Sequence, residues 1–502
     1  MIGARVEHPT FGPGTVVAAF RGGSEWLVRF ESGLRFRRAR QEFVGEAEAP
    51  RRPAPSPAPP SLRPPLQQPR FETRRLVEAL RFGVAPSAYL PELTIGLAAE
   101  RASVTAGLNR SHELGGAVRA VLGEYGYGKS HLLELSAQEA LSRGFVVGRA
   151  SLDLLELPPH RAFDVYRELM HDLRTPDSEE QGLGPLLRRA GKLELSGRLR
   201  EVAGLASDPL LLALDALAAA PSGRQRAAWQ NWLMGGRRTR LMQPATPQGV
   251  KFPTIYKVGH NARQVAYLLG GISVLARLAG YSGLCVLIDE AESYSLLRAQ
   301  QRPKAGLFFA ALIHAASASD PATAANAATA NAATANVATA NAATAGAGSD
   351  RSPIREDALP QHHLRDYPVR YGAGQSLFFM FAVTRSENQL PLDVWLAPDE
   401  IVDLDPHPSV RETTEFLRRL QGFHGQAYGY PADERHDLLC RGGAETLALA
   451  VERRQLSIRG LVRLSVDLFD LAYLYPDRNA NELLAELQGS LAGPEGSPPA
   501  SG

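Results

Sequence analysis

The chain reads as an α/β protein: residues 71–390 form a domain on a parallel sheet, residues 391–487 are helical, and residues 1–46 form a small all-β module. Three observations predict this. Apolar runs alternate with helical periodicity through the middle of the chain, a glycine-rich phosphate-loop pattern closes one such run, and the first 46 residues alternate with a period of two.

In the first module, Gly14 to Ala19, then Trp26, Val28 and Phe30 on one face, then Leu34 and Phe36, are separated by Gly22-Gly23 and Ser32-Gly33 turns. A period of two directs these aromatics into one core. Residues 47–70 carry nine prolines, a density that excludes helix and sheet and predicts an extended spacer holding the β module as a tethered unit. The strand-like runs Ala117 to Leu122, Phe145 to Ala150, Leu284 to Ile288 and Leu377 to Val383 then mark the α/β domain. Residues 315–349 interrupt it: Asn326, Asn331, Asn336 and Asn341 recur every five residues in Asn-Ala-Ala-Thr-Ala units. That period matches neither helix nor strand and predicts a disordered insertion. In the helical part, Ile458, Leu461, Val462, Val466, Phe469 and Tyr473 share one stripe, with Ser457 placed to cap and Pro476 to stop the helix. Residues 488–502, rich in Gly, Pro and Ser, predict a disordered tail.

Composition removes several functional classes. The 502 residues carry Lys+Arg 55 against Asp+Glu 53, so a formal charge of +2 gives no global attraction to nucleic acid or membrane. Lysine occurs only at Lys129, Lys192, Lys251, Lys257 and Lys304, so arginine clusters carry less information than usual. Cys285 and Cys440 match no metal spacing, and the start Met-Ile-Gly-Ala-Arg has no apolar signal region, which predicts a cytoplasmic protein. The longest apolar runs fall far short of the roughly 18 residues of a membrane span.

Gly123-Glu124-Tyr125-Gly126-Tyr127-Gly128-Lys129-Ser130 fits G-x-x-x-x-G-K-[ST] between a strand and a helix starting near His131. Gly123, Gly126 and Gly128 allow backbone N–H groups to turn inward around phosphates, and the helix N-terminus adds its positive end. Lys129 is expected on the β- and γ-phosphates and the Ser130 hydroxyl on Mg²⁺, so ATP with Mg²⁺ is the expected ligand. The run Gly283 to Ile288 ends in Asp289 and Glu290, placing two acids at a strand's carboxyl end. Asp289 is expected to hold the Mg²⁺ shell and Glu290 to orient and deprotonate the attacking water. Glu292 reads either as a second candidate base or as a first-turn helix acid. Thr384, at the tip of the run Leu377 to Val383, reads as a γ-phosphate sensor or a capping threonine. Arg459 and Arg463, one helical turn apart, read as phosphate-reaching arginines or as surface charge. Cys285 reads as a core residue, His131 as a helix-start residue, and His362-His363 has no metal-ligand partners.

Residues 71–487 resemble the P-loop ATPase family associated with BREX-type phage defence. The resemblance is carried by residues 123–131, by Ala162-Phe163-Asp164-Val165-Tyr166-Arg167, by Leu287 to Glu292 and by Ser457 to Arg463. The last stretch is similar to the second-sensor arginine helix of AAA+ initiator-like ATPases. The resemblance implies an AAA+-like fold with a helical lid, ATP with Mg²⁺, an oligomer in the ATP-bound state, and defence-system partners, commonly a helicase. The Asn-Ala-Ala-Thr-Ala insertion departs from the family pattern. Val6 to Val17 and Val28-Arg29-Phe30 resemble a Tudor/SH3-like barrel, which implies a protein partner such as RNA polymerase, or DNA. Its expected contact edge is Arg35, Arg37, Arg38 and Arg40. Two functional readings remain open: an ATPase coupled to DNA handling or a helicase, and a nucleotide-dependent interaction switch with negligible turnover.

Overall fold

The computed structural model describes residues 4–20, 23–30, 35–46, 69–84, 86–203, 205, 208–220, 222–245, 262–317, 359, 367–386 and 390–492. In the first unit, Met1–Gln68, the period-two segments form strands β1 (Arg5–His8), β2 (Gly12–Phe20), β3 (Glu25–Phe30), β4 (Arg35–Ala39) and β5 (Val44–Glu46). They pair antiparallel in the order β4-β3-β2-β1-β5. Val6, Val16, Trp26, Val28, Phe30 and Phe43 make the core. Leu34 and the Ser32-Gly33 turn lie outside the described residues, as does the proline-rich stretch 47–68. The arginines of the expected contact edge are engaged with the module itself. Arg37 donates to Glu25 at 2.7 Å and lies 4.3 Å from the Phe20 ring centroid, Arg38 lies 5.7 Å from that of Phe36, and Arg40 lies 5.1 Å from that of Trp26.

The second unit, Pro69–Gly502, is built on a parallel sheet of β6 (Gly116–Gly123), β7 (Phe145–Ser151), β8 (Gly283–Asp289), β9 (Leu377–Val383) and β10 (Ile401–Leu404), in the order β10-β6-β9-β8-β7. Strands β6, β8 and β9 are buried at every residue, which is why they read as unbroken apolar runs. Alternate residues still serve different layers. Cys285, Leu287, Phe378 and Met380 pack with Leu108 of α3 (Ala98–Leu114) and Leu132 and Leu133 of α4 (Lys129–Ser142). Leu284, Val286, Phe379 and Phe381 face the opposite layer, which includes α5 (Ala162–His171), α10 (Ala262–Leu278) and α11 (Arg302–Ala316). Between β7 and β8 that layer is extended by α6 (Gly184–Lys192), α7 (Ser196–Val202), α8 (Pro209–Ala219) and α9 (Gly223–Leu233), with Trp229 and Trp232 in its core.

A second core is helical. Helices α13 (Val410–Tyr428), α14 (Glu434–Glu452), α15 (Ile458–Leu474) and α16 (Ala480–Ala492) enclose Phe416, Leu439, Leu447, Leu461, Val466 and Phe469. Ser457 caps α15, its hydroxyl accepting from Gly460 N–H. Tyr473, read as part of the same stripe, is exposed near the end of α15, where it stacks on Tyr430.

Several boundaries differ from the sequence reading. Helix α1 (Pro69–Arg81) starts inside the stretch read as a spacer, because proline at the first helical position gives up only an N–H that had no partner there. Leu76, Val77 and Leu80 of α1, with Leu93 of the short α2 (Leu90–Leu93) and Ile95, pack into the helical core instead of the sheet. Conversely, β10 lies within the stretch read as helical, four residues too short to show a period, and pairs with β6. A further single turn, α12 (Leu392–Trp395), precedes it. Ala315 and Ala316, read as the start of the insertion, are the fully buried last turn of α11, and residues 488–492, read as tail, complete α16. Residues 318–349 and 493–502 lie outside the described residues. The chain on either side of the first of these is held by arginines: Arg370 donates to Ser317 O at 2.5 Å, and buried Arg263 donates to Leu359 O at 3.0 Å and Tyr367 O at 2.9 Å.

Candidate nucleotide site

At the carboxyl ends of the parallel strands, β6 runs into the glycine-rich loop that opens α4. Gly126 and Gly128 take φ +82° and +98°, the left-handed region where a side chain would be strained. A Cβ at Gly126 would also meet the Ser457 hydroxyl at 2.9 Å, so the first turn of α15 sits directly on the loop. The Arg459 backbone N–H reinforces this contact by donating to Gly126 O at 3.0 Å.

Loop, acids and helical core line one cavity of about 300 Å³. Its lining includes the polar residues Lys129, Ser130, Glu134, Arg149, Asp289, Glu290, Glu292 and Arg459. Lys129 is buried and donates to Gly123 O at 3.0 Å and Glu124 O at 3.1 Å. Burial lowers its pKa, while Glu292, then Asp289, then Glu290 act to keep it charged. Asp289 is buried and accepts from Glu290 N–H at 3.0 Å. Glu290 itself has φ +59° and stands at the cavity mouth. Partial desolvation, followed by Glu292 and Asp289, holds its carboxyl above the usual range.

Thr384 leaves the end of β9 and donates its hydroxyl to Glu292 Oε1. Arg459 reaches the cavity, whereas Arg463 points to solvent and does not line it. His131 also lines the cavity, with Nε2 3.0 Å from Thr94 Oγ1. That threonine spends its one proton on Leu90 O, so His131 donates, and burial pushes its pKa down to about 4, keeping it neutral. His362-His363 lies outside the described residues.

Some lining residues had escaped the sequence reading. Glu134 pairs with Arg149, whose guanidinium is also 3.6 Å from Asp289. The signal for Glu134 was a carboxylate on an otherwise apolar helix face, one turn after Ser130. The apolar lining, with Leu80, Leu90, Ile95, Phe416 and Val462, had none, because it is assembled from segments more than 300 residues apart.

Residues 69–189, which include the glycine-rich loop and β7, match the model of the family described as BREX system ATP-binding protein BrxC/D. The matched stretch, about a quarter of the chain, is similar to that BREX-type ATP-binding family. No curated protein matches the chain. Among the described residues no helix is long and apolar enough to cross a membrane.

Proposed function

We propose that this chain is an AAA+-like P-loop ATPase that uses Mg²⁺ and works beside other BREX defence proteins, with a helicase or DNA as the object of its turnover. The observation that carries this reading is the single cavity shared by the glycine-rich loop, the Asp289–Glu290 pair and Arg459. The residues present fit the ligand. Lys129 is held by loop carbonyls that a triphosphate would replace as its partners, the loop runs into the N-terminal end of α4, and the apolar part of the lining suits a planar base. Ser130 and Asp289 supply the two protein oxygens with which Mg²⁺ is commonly held alongside phosphates and water. Bound there, the ion would neutralise charge on the transferring phosphoryl group.

The chain's own residues divide the remaining work. Lys129 places the β- and γ-phosphates, and Glu290 orients the attacking water and accepts its proton. Arg459 brings positive charge from the helical lid, and ATP-bound chains assemble with one another. Residues 1–46 act as a Tudor/SH3-like docking module for a protein partner, with Arg35, Arg37, Arg38 and Arg40 at its edge.

Single-turnover hydrolysis tests the reading. Glu290→Gln keeps ATP binding by calorimetry and slows hydrolysis by about 10²-fold or more, because the amide holds a water and cannot take its proton. A variant that hydrolyses within a few-fold of wild type excludes Glu290 as the base.

A nucleotide-dependent switch is the second reading, favoured by one observation: both Lys129 and Arg459 have partners within the loop, so both must move when nucleotide arrives. Tight ATP binding with almost no turnover, with and without DNA, selects the switch. Marked stimulation by DNA selects the motor.

A further inference from the structure

Between Asp215 and Asp289 the sequence holds no acidic residue, in a chain where acids are nearly as numerous as bases. Part of that run is α10 and β8, which are largely buried and need none. Residues 222–245 differ, because α9, its closing turn and the short 3₁₀ segment Arg240–Ala245 expose Arg224, Arg226, Arg237, Arg238 and Arg240. An arginine-rich composition accounts for the arginines but not for the missing carboxylates. Elsewhere the two are kept together, as in Arg188–Glu180, Arg200–Asp215 and Arg418–Asp437.

The backbone gathers these arginines on one surface. Trp229, Trp232 and Leu233 bury one face of α9, which leaves Arg224, Ala227 and Asn231, at i, i+3 and i+7, along the opposite face. Gly235, at φ +85°, ends the helix, and Gly236 then lies so close that a Cβ there would meet Asn231 O at 2.5 Å. The chain therefore turns back beside the exposed face, and the segment from Arg237 to Arg240 starts there. Arg224, Arg237 and Arg240 have no ion pair or side-chain hydrogen bond among the described residues, and Arg226 donates only to Ala220 O at 3.3 Å. Glu180, beside Gly184 and Gln230, is already paired with Arg188. Asn231 and Thr239 add neutral donors, and Leu241 is the one large apolar side chain exposed among the described residues of this stretch. That mixture suits phosphate oxygens, which accept from arginine, asparagine and threonine alike, better than an apolar protein surface.

We infer that this face, with Arg224, Arg237, Arg238 and Arg240 around Asn231 and Thr239, binds the phosphate backbone of DNA. The inference rests on the reading above in which DNA is the object of turnover. It places the contact on the helices inserted between β7 and β8. Contacts to phosphates carry no base information, so binding is independent of sequence. Each phosphate neutralised releases counterions, so affinity falls steeply as salt rises.

Anisotropy titration of the full chain without nucleotide, over a salt series, tests the assignment on duplex and single-stranded DNA of unrelated sequences. The wild type is expected to bind the sequences alike, and the comparison of duplex with single strand shows which form it takes. Combining Arg224→Gln, Arg237→Gln and Arg240→Gln removes three charges that have no partner in the chain, so the melting temperature should hold. Affinity of that variant should fall by about 10²-fold or more at roughly 0.1 M salt, and the slope of log affinity against log salt should drop by about one per arginine removed. Lysine at the same three positions keeps the charge and should retain most of the binding and the slope. If the glutamine variant binds DNA with wild-type affinity and slope, the inference is overturned and any DNA contact belongs elsewhere on the chain. Loss of self-association by sedimentation in that same variant would then make the face a contact between chains. If the wild type binds neither form at low salt, the inference falls together with DNA as the object of turnover, while hydrolysis measured without DNA is a separate result.

Discussion

The Arg459 guanidinium lies 5.1 Å from the Tyr125 ring centroid and donates to the Tyr125 hydroxyl at 2.5 Å, latching the first turn of α15 to the glycine-rich loop. For Arg459 to reach a phosphate this latch must open. An exposed cation–π contact and one hydrogen bond are worth about 1–2 kcal/mol together. Tyr125→Ala is therefore expected to tighten ATP binding by up to about tenfold. Fluorescent-nucleotide titration checks it, and unchanged or weaker affinity contradicts the latch.

Lys129→Ala is expected to lower ATP affinity by at least about 10²-fold, since the lysine is the point charge facing the phosphates. The fold should persist, because the carbonyls of Gly123 and Glu124 lose a donor at a cavity that water can enter. Calorimetry showing wild-type affinity in a folded variant would falsify the site.

Asp208 gives a pH test away from the nucleotide. It caps α8, accepting from Leu211 N–H at 2.9 Å and from the Tyr267 hydroxyl at 2.5 Å, and is almost wholly buried. Burial raises its pKa, against the lowering effect of Tyr267 and the α8 backbone. The folded state then binds more protons than the unfolded state between the ordinary and the raised value, so stability is lost as pH rises through the folded pKa. Asp208→Asn keeps an acceptor for the cap and removes the charge. Relative to wild type, the variant should gain stability in urea denaturation as pH rises from the ordinary aspartate value of 3.8, and a flat difference would refute the assignment.

Removing residues 1–60 should leave basal ATPase activity unchanged, because the glycine-rich loop, the acidic pair and Arg459 all belong to the unit Pro69–Gly502. Neutralising Arg35, Arg37, Arg38 and Arg40 together should weaken partner capture. The stacking of Arg37, Arg38 and Arg40 on Phe20, Phe36 and Trp26 favours a protein partner with modest salt dependence. Micromolar duplex binding that collapses as salt rises would transfer the module to nucleic acid.

The sheet was legible because strands buried on both faces carry unbroken apolar runs, as in Leu377 to Val383. The glycine-rich loop was legible because its chemistry is local in sequence. Contacts across long separations were not. Thr384 and Glu292 are 92 residues apart, and Tyr125 and Arg459 are 334 apart, and no periodicity records either pairing. Strand β10 escaped because four residues cannot display a period, and α1 because its apolar stripe does not say which of two cores it joins.

The arginine clamps at Ser317, Leu359 and Tyr367 all lie outside the Asn-Ala-Ala-Thr-Ala units. A gene that encodes near-identical five-codon blocks is prone to slippage when it is copied, and every slip of a whole block preserves the reading frame. Closing a span of that size with one block more or fewer changes the closure term by only about 0.1 kcal/mol. Because the anchors are independent of the blocks, a change in copy number leaves them in place.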